Sequence, residues 1–506
     1  MARVSATYNL GVTQGGLDFV DVDVEEDVPV FIDPSAIRAQ AGDWIIRCQE
    51  SLRSFFDELL QAIKAGNQQR TRQLMFPLVE PNETHLGMSR GRSRGMGLGN
   101  NVKAQRLINA LAASKAVKSG FLQDLEDTAL LVPGVDRDIV SDIATSVIRA
   151  QLIEYTQKMC AFYRIPMERQ QSGPYWDLQA KQWDKGFVDL PRAGDNKLLL
   201  VPKSIVRVSL TVDKGKYYRG YLRPYFEELE LDKPASDLVM ILKDKRRKVR
   251  LGKLDEVLGV TKTSIVDNTQ KFPQALDKYR KALDESLNSP LPDQILRGTT
   301  GTPPVDVVEM LNELKSIVPG HGGATLYHRV IAKLLTALFD TYLGNCRIEE
   351  DLHASLKRID VVFDNVAAEG FFRWLGQHYS AATVVVECKN YGRDIGNPEL
   401  DQTAMRLAPQ RGQIGLLTVR SLEDKARALQ RAKSVADDGH GYVIVLDDED
   451  IEALVQEHID YFASYADGPR PLALLRERFD RLLGRSGAGL ATLPTRTTKQ
   501  GCRTLV

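Results

Sequence analysis

Two neighbouring stretches decide the fold of the C-terminal part: Arg358-Ile-Asp-Val-Val-Phe-Asp364 and Val384-Val-Val-Glu-Cys-Lys-Asn-Tyr391. Both are rich in β-branched and aromatic residues, which predicts two short strands. Side chains alternate along a strand, so Glu387 and Lys389 lie on one face of the second strand and Cys388 lies on the other. A buried strand that ends in charged residues is costly unless those charges have partners. The pattern therefore predicts a carboxylate and a lysine held together at the end of a buried strand.

A second carboxylate, Asp360, lies on the first of these strands. Carboxylate oxygens are the ligands that Mg²⁺ prefers, and a lysine beside them can neutralise a phosphate. A bound divalent cation polarises a phosphoryl oxygen and lowers the pKa of a bound water. Two carboxylates and a lysine therefore predict a site for a divalent cation and a phosphate group.

The residues downstream continue this pattern with a helix. The segment Asn397-Pro-Glu-Leu-Asp-Gln402 predicts a helix start, with Asn397 as the cap and Pro398 at the first helical position. Glu399, Gln402 and Arg406 would share the face of this helix opposite to its apolar residues. Strands and helices then alternate, which predicts an α/β layer with a partly parallel sheet.

Together, these features resemble the PD-(D/E)xK nuclease superfamily, which has the restriction-endonuclease-like fold, over roughly residues 322–465. Asp360 matches the first acidic position, and Glu387 and Lys389 match the (D/E)xK positions. Gln402 lies where many members carry a functional glutamine. The resemblance implies a Mg²⁺-dependent endonuclease, with Mn²⁺ as a substitute, that hydrolyses phosphodiester bonds in DNA. It also implies a place in bacterial restriction or antiviral defence.

The resemblance assigns a role to each matched residue. Asp360, Glu387 and the backbone carbonyl of Cys388 would hold the metal. Lys389 would orient the attacking water or neutralise the charge that grows on the phosphate. Gln402 would contact the phosphate or the water.

One feature of the family is missing from the sequence. Many members carry a glutamate on the helix before the first strand, but the helix predicted over Ala324–Tyr342 contains none. Tyr327 and His328 lie roughly in its place, and we interpret His328 as structural. Asp364 is an alternative metal ligand, because it lies four residues from Asp360 on the same strand.

DNA affinity is expected to come from outside this part of the chain, because residues 322–465 hold 22 acidic and 15 basic residues. The basic run Lys243–Lys253 and the Gly/Arg-rich segment Gly87–Gly99 are two candidate binding surfaces. The alternative for the basic run is a solvated face without a ligand, and the alternative for the Gly/Arg-rich segment is a mobile connection. The candidates for DNA contact are Lys245, Arg246, Arg247, Lys248, Asn390, Tyr391, Arg393, Arg427 and Arg431.

The whole chain is predicted to be a multidomain α/β protein. We expect a mostly helical α+β N-terminal region over residues 1–295, with a subdomain break near 195–235, that senses or positions the target. A restriction-endonuclease-like domain with a mixed central sheet would cover 305–466. A basic helix and a disordered tail would cover 467–506. An acidic cluster between Asp18 and Asp27 is interpreted as a solvated strand face rather than a metal site.

The composition excludes several classes of protein. The chain has 67 basic and 67 acidic residues, which is not the profile of a protein that coats nucleic acid. No apolar run approaches a membrane span, and no signal peptide is recognisable at the N-terminus. The five scattered cysteines predict neither disulfides nor a zinc site. We therefore expect a cytoplasmic protein that binds no membrane. The resemblance implies DNA as its partner, and we expect a homo-oligomer.

Two other functions fit the same residues. A nuclease fold can serve as a nucleic-acid or protein binding module without cleavage, and the missing helix glutamate favours that alternative. The chain can also be a regulated nuclease, whose N-terminal region binds a partner protein or a small-ligand activator. Nothing in folding requires Asp360, Glu387 and Lys389 together, which favours an active enzyme.

Overall fold

The computed structural model describes residues 3–78, 81–87, 101–193, 196–285, 291–352, 357–409, 412–464 and 469–485. It is a mixed α/β structure, with a predominantly helical N-terminal part and a five-stranded mixed sheet in the C-terminal part. The Gly/Arg-rich segment, with Arg90, Arg92 and Arg94, and the tail after residue 485 lie outside the described residues.

The C-terminal part is built around the five-stranded sheet. Its strands are β1 (Leu343–Leu352), β2 (Lys357–Asn365), β3 (Thr383–Lys389), β4 (Ile414–Val419) and β5 (Tyr442–Leu446), and they lie in this order. β1, β2 and β3 pair antiparallel, whereas β3, β4 and β5 pair parallel. The sheet is therefore mixed, as the alternation of strands and helices predicts.

Helices cover both faces of this sheet. They are α1 (Val307–Ser316), α2 (Ala324–Leu338), α3 (Gly370–His378), α4 (Asn397–Ala404), α5 (Lys425–Asp437), α6 (Asp448–Ala463) and α7 (Ala473–Leu482). Strand β1 and helix α3 are elements that the sequence pattern did not predict. Helix α7 buries Leu475, Phe479 and Leu482 in the same core as the sheet, so this basic helix packs with the domain before it.

The two faces of β3 have different surroundings. Val384, Val386 and Cys388 are buried in the core that includes α2. On the opposite face, Val385 packs against Val362 of β2. This face leads to Glu387 and Lys389, so the alternation along β3 separates core residues from the polar end.

The N-terminal part is mainly helical. Its helices are Val4–Thr7, Pro34–Arg38, Asp43–Lys64, Gln68–Met75, Asn101–Ala113, Lys115–Ser119, Asp127–Leu131, Arg137–Val147, Arg149–Tyr163, Lys214–Tyr217, Arg223–Asp232, Leu251–Leu258, Lys262–Thr269, Gln274–Glu285 and Asp293–Thr300. Its paired strands are Phe31–Ile32 with Val206–Arg207, Glu168–Gln171 with Phe187–Leu190, Tyr175–Asp177 with Gln182–Asp184, Arg192–Ala193 with Asn196–Lys197, and Val239–Ile241 with Arg247–Val249.

The two large hydrophobic cores of the described residues are formed by different parts of the chain. One is formed by residues between Val4 and Leu296, on both sides of the region 195–235. The other is formed by residues between Val307 and Leu482, together with Phe162. The division between the cores therefore falls between residues 296 and 307.

The acidic cluster near the N-terminus is not a solvated strand face, so that prediction is wrong. Asp18, Asp21 and Asp23 are buried, and no regular strand covers them. Tyr155 donates to Asp18 at 2.7 Å, and the backbone and hydroxyl of Ser5 donate to Asp21 at 2.9 and 2.5 Å. Burial raises the pKa of Asp18 and Asp21. These partners are remote in sequence, which is why the local alternation misled the prediction.

A buried polar cluster connects the two parts of the chain. Asp364 of β2 is 0% exposed and accepts from Arg347 at 2.8 Å and from Asn345 at 3.0 Å. Asn345 also donates to Gln40 at 3.1 Å. Gly42, at φ +128°, lies so close that an added Cβ would be 2.5 Å from the Asp364 carboxylate. The N-terminal part therefore packs directly on the strand that carries Asp360.

Candidate functional site

The polar end of β3 brings three of the predicted residues together. Lys389 Nζ donates to Glu387 Oε1 at 2.7 Å and to Gln402 Oε1 at 3.0 Å. Glu387 is 1% exposed, whereas Gln402 lies on the exposed side of α4. Helix α4 has its N-cap at Gly396 rather than at the predicted Asn397. The lysine is thus held between a buried carboxylate and a surface amide, with its ammonium group near the protein surface.

Asp360 reaches the same end of the sheet from β2. The antiparallel register ends with the pair Val361 and Val386, which places Asp360 opposite Glu387 on one face. Asp360 Oδ2 accepts a hydrogen bond from the backbone N–H of Cys388 at 2.9 Å. The carboxylate is 15% exposed. Asp360, Glu387, Lys389 and Gln402 therefore lie at one edge of the sheet.

His328 of α2 also lies at this edge, although the sequence analysis interpreted it as structural. Its Nε2 is 3.1 Å from the carbonyl oxygen of Cys388 and 3.9 Å from Asp360 Oδ2. The carbonyl assigned to the metal thus has an imidazole beside it. The sequence offered one signal for this residue, because the resemblance implied an acidic side chain on this helix and His328 reaches the site from it.

Arg406 lies elsewhere than its helical spacing predicts. It was predicted to share an exposed helix face with Glu399 and Gln402. Instead it is 7% exposed, two residues beyond the end of α4, and its NH1 forms an ion pair with Glu387 Oε2. Burial lowers the pKa of the Arg406 guanidinium. Both oxygens of Glu387 therefore face a protein cation.

A second set of contacts holds the end of β3 in place through Asn390, the residue that follows the strand. Asn390 donates to the carbonyl oxygens of Val318 and Gly320 at 3.0 and 2.9 Å. Arg420 donates to Asn390 Oδ1 at 3.1 Å and to Asp448 at 2.9 Å. Asn390 is 2% exposed, so its prediction as a DNA contact is wrong: its amide is used to hold the strand end in place.

The remaining candidates for DNA contact near the site are distributed over its surface. Tyr391 lies beneath the Arg393 guanidinium, at 5.4 Å from the ring centroid. Arg393 is 76% exposed and lies 3.8 Å from Glu399. Arg427 is exposed, whereas Arg431 donates to the carbonyl of Ile395 at 2.7 Å. Arg393 and Arg427 are thus available to a polyanion, and Arg431 supports a loop.

The basic run Lys243–Lys253 covers the turn and the second strand of a β-hairpin and the start of the helix Leu251–Leu258. The two strands of the hairpin are Val239–Ile241 and Arg247–Val249, and Lys245 adopts a left-handed φ of +65° at the turn. Lys245 and Lys248 are exposed. Arg246 is paired with Asp244 at 2.6 Å, and Arg247 donates to the carbonyl of Lys233 at 2.5 Å.

The residues fit a magnesium ion in chemical type. Asp360, Glu387 and the Cys388 carbonyl supply oxygen donors from adjacent strands. Among the described residues, however, no group of three or more His, Cys, Asp or Glu side chains forms a metal cluster. Asp364 is not an alternative ligand, because it is fully buried in the pair with Arg347. Cys388 is a buried thiol on the opposite face, where burial raises its pKa.

Comparison with known proteins reaches only the N-terminal part. A family model described as Domain of unknown function (DUF8370) matches residues 9–213. No curated protein and no solved structure matches the chain. In the part of the chain that the structure describes, no helix is both long and apolar enough to cross a membrane.

Proposed function

We propose that the protein is a Mg²⁺-dependent endodeoxyribonuclease with a restriction-endonuclease-like C-terminal domain. The observation that carries this proposal is the placement of Asp360, Glu387, Lys389 and Gln402 at one edge of the mixed sheet. Two carboxylates, an ammonium and an amide at the ends of two strands and a helix match the chemistry of phosphodiester hydrolysis. The proposal includes a bacterial restriction or antiviral role and a cytoplasmic homo-oligomer that binds DNA.

Each side chain has a role in this proposal. Asp360, Glu387 and the Cys388 carbonyl would hold the cation, which when bound polarises the phosphate and acidifies a water. Lys389 donates a hydrogen bond to the attacking water or to a non-bridging phosphate oxygen. Water adds to phosphorus, the P–O bond to the leaving oxygen breaks, and a proton passes to that oxygen.

Gln402 and Glu387 position the lysine. Both accept from Lys389 Nζ, so the ammonium is held at a defined place while it remains near solvent. A fixed donor costs no reorganisation during the reaction, which is the source of its effect on rate. The amide N–H groups of Gln402 are chemically suited to a phosphate oxygen.

A cleavage assay tests this function. The full chain is incubated with supercoiled plasmid, linear DNA or RNA in the presence of Mg²⁺, Mn²⁺ or EDTA. We expect nicking or linearisation of DNA with either metal, none with EDTA, and none with Asp360→Asn. Asp401→Asn, on the exposed side of α4, removes a carboxylate outside the site and should cleave like the wild type. Cleavage that survives EDTA, or in Asp360→Asn, would contradict the proposal.

A regulated nuclease is the second candidate, and one observation favours it. Asp364, four residues from Asp360 on β2, is in contact with Gln40 and Gly42 through the buried polar cluster. A ligand or partner that moves these N-terminal residues would act on the strand that carries Asp360.

A binding module without activity is the remaining alternative. It would bind DNA with the same affinity in EDTA and in Mg²⁺, and it would cleave in neither.

A further inference from the structure

Arg406 lies on the carboxylate that the proposed function assigns to the metal. Its NH1 pairs with Glu387 Oε2, while Lys389 Nζ lies 2.7 Å from Oε1. Glu387 is 1% exposed and Arg406 is 7% exposed, so this ion pair is shielded from water. Both oxygens of a predicted metal ligand are therefore engaged by cations of the protein itself.

The burial of this arginine is unusual, because the apolar residue next to it is the one that is exposed. Met405, its neighbour, is 68% exposed, whereas Arg406 is buried. Methionine is usually among the buried residue types and arginine among the exposed ones. A buried ion pair is also weak evidence for stability, because desolvation offsets its Coulomb attraction. The inverted order points to a use of the guanidinium at Glu387.

The charges at the site show what a divalent cation would meet. Asp360 and Glu387 carry two negative charges, and Lys389 and Arg406 carry two positive charges that neutralise them. A divalent cation would leave this cluster with an excess charge of two in a partly buried place, which is unfavourable. Release of one of the two protein cations would remove part of that excess.

The contacts distinguish the two cations. Lys389 is held by Gln402 as well as by Glu387. The partners of the Arg406 guanidinium are the two carboxylates that the proposed function assigns to the metal: it forms an ion pair with Glu387 and is attracted by the charge of Asp360. Arg406 also follows the end of α4, so its side chain can turn away without unwinding the helix. Arg406 is therefore the cation that a metal would displace more easily.

We propose that Arg406 is a positioning residue that competes with the divalent cation for Glu387 and is released towards the phosphate when the cation binds. This inference rests on the proposed function. A guanidinium freed at this edge can donate two parallel hydrogen bonds to a phosphate. The entry of the metal and the capture of the substrate phosphate would thus be coupled through one side chain.

Titration of the full chain with MnCl₂ alone, followed by calorimetry and by thermal unfolding, tests the competition without DNA or catalysis. We expect Arg406→Gln to bind Mn²⁺ about tenfold more tightly than the wild type, because a repelling cation next to the metal is gone. If Arg406→Gln does not fold, Arg406→Met is used instead, because methionine keeps the buried volume. This variant should show the same increase in Mn²⁺ affinity. Arg481→Gln removes a surface arginine of the same domain, on α7, and should bind Mn²⁺ like the wild type.

The other outcomes separate this inference from the function on which it rests. Equal or weaker Mn²⁺ affinity in both Arg406 variants would overturn the competition and leave the proposed nuclease intact. Absence of Mn²⁺ binding in the wild type and in every variant would overturn both.

Discussion

Asp360 and Asp364 lie four residues apart on β2, and their surroundings differ in almost every respect. Asp364 is 0% exposed, is paired with Arg347 and Asn345, and lies against Gly42 of the N-terminal part. Asp360 is 15% exposed, lies opposite Glu387, and has His328 at 3.9 Å. The end of β2 at Asp364 is a buried contact with the N-terminal part, and the end at Asp360 lies at an edge of the sheet that solvent reaches.

This difference separates a structural carboxylate from one that we propose to bind a metal. At the Asp364 end, the carboxylate is matched by a guanidinium and an amide that water does not reach. At the Asp360 end, the polar groups lie at the ends of strands and a helix, where a substrate can approach. Carboxylates in one sheet therefore have different surroundings, which are set by the groups that pair with them: Asp364 pairs with the buried Arg347, whereas Glu387 pairs with Lys389, which also contacts the surface residue Gln402.

The largest effect is expected at the open end. Lys389→Ala should lower the rate of DNA cleavage by about 100- to 1000-fold, because a positioned donor to the reacting phosphate is lost. The fold should be retained, because Arg406 still pairs with the buried Glu387 carboxylate when the lysine is gone. Single-turnover cleavage at saturating DNA, with circular dichroism as a check, measures this.

Lys315→Ala is the matched control for that variant. Lys315 forms a surface ion pair with Glu452 at 2.8 Å in the same domain, and its loss should change neither rate nor fold. If Lys389→Ala cleaves at the rate of Lys315→Ala, the lysine is structural and the comparison of the two ends fails.

The next effect belongs to the buried end. Asp364→Asn keeps the shape of the side chain but leaves Arg347 without its charge partner, which should reduce the free energy of unfolding by about 3–5 kcal/mol. Chemical denaturation followed by circular dichroism measures this loss. Asp401→Asn, at an exposed position of α4, should change stability by less than about 0.5 kcal/mol.

The same variant sharpens the choice between two functions. Under conditions in which Asp364→Asn is still folded, DNA cleavage that is faster than that of the wild type would favour a nuclease that the N-terminal part restrains. An unchanged cleavage rate would favour a nuclease that is active by itself. A variant as stable as the wild type would show that this buried pair is not the stabilising contact we infer.

The smallest effect is expected far from both ends, on the hairpin Val239–Val249. Replacing Lys245 and Lys248 by alanine should weaken DNA binding and lower the log–log salt slope by about 0.9 per lost phosphate contact. Arg246→Ala should have less effect, because Asp244 already pairs with Arg246. Fluorescence anisotropy at several salt concentrations measures the slope.

Two further variants bound that prediction. The double variant Lys64→Ala with Lys118→Ala removes two exposed lysines elsewhere and should leave the slope unchanged. An unchanged slope in the hairpin variant would move the DNA-binding surface to another basic segment.

Much of the open end was predictable from the sequence. Strand β3, Thr383–Lys389, begins one residue before the predicted stretch and ends within it, because a run of valines and a following Asn-Tyr-Gly segment mark its limits. Alternation along the strand placed Glu387 beside Lys389, and helical spacing placed Gln402 on α4. These are local relations with a fixed period, so they can be inferred without tertiary contacts.

The tertiary structure alone decided the use of the other charged residues. His328 reaches Cys388 across 60 positions of the chain, and Gln40 reaches Asn345 across 305. Arg406 pairs with Glu387 and does not lie on the predicted surface, and Asp364 pairs with Arg347 and does not lie at the site. A charged residue is compatible with either solvent or a buried partner, and its local sequence does not distinguish them. The sequence by itself therefore determined the strand that carries the site, and the packing of distant segments determined which charges face it.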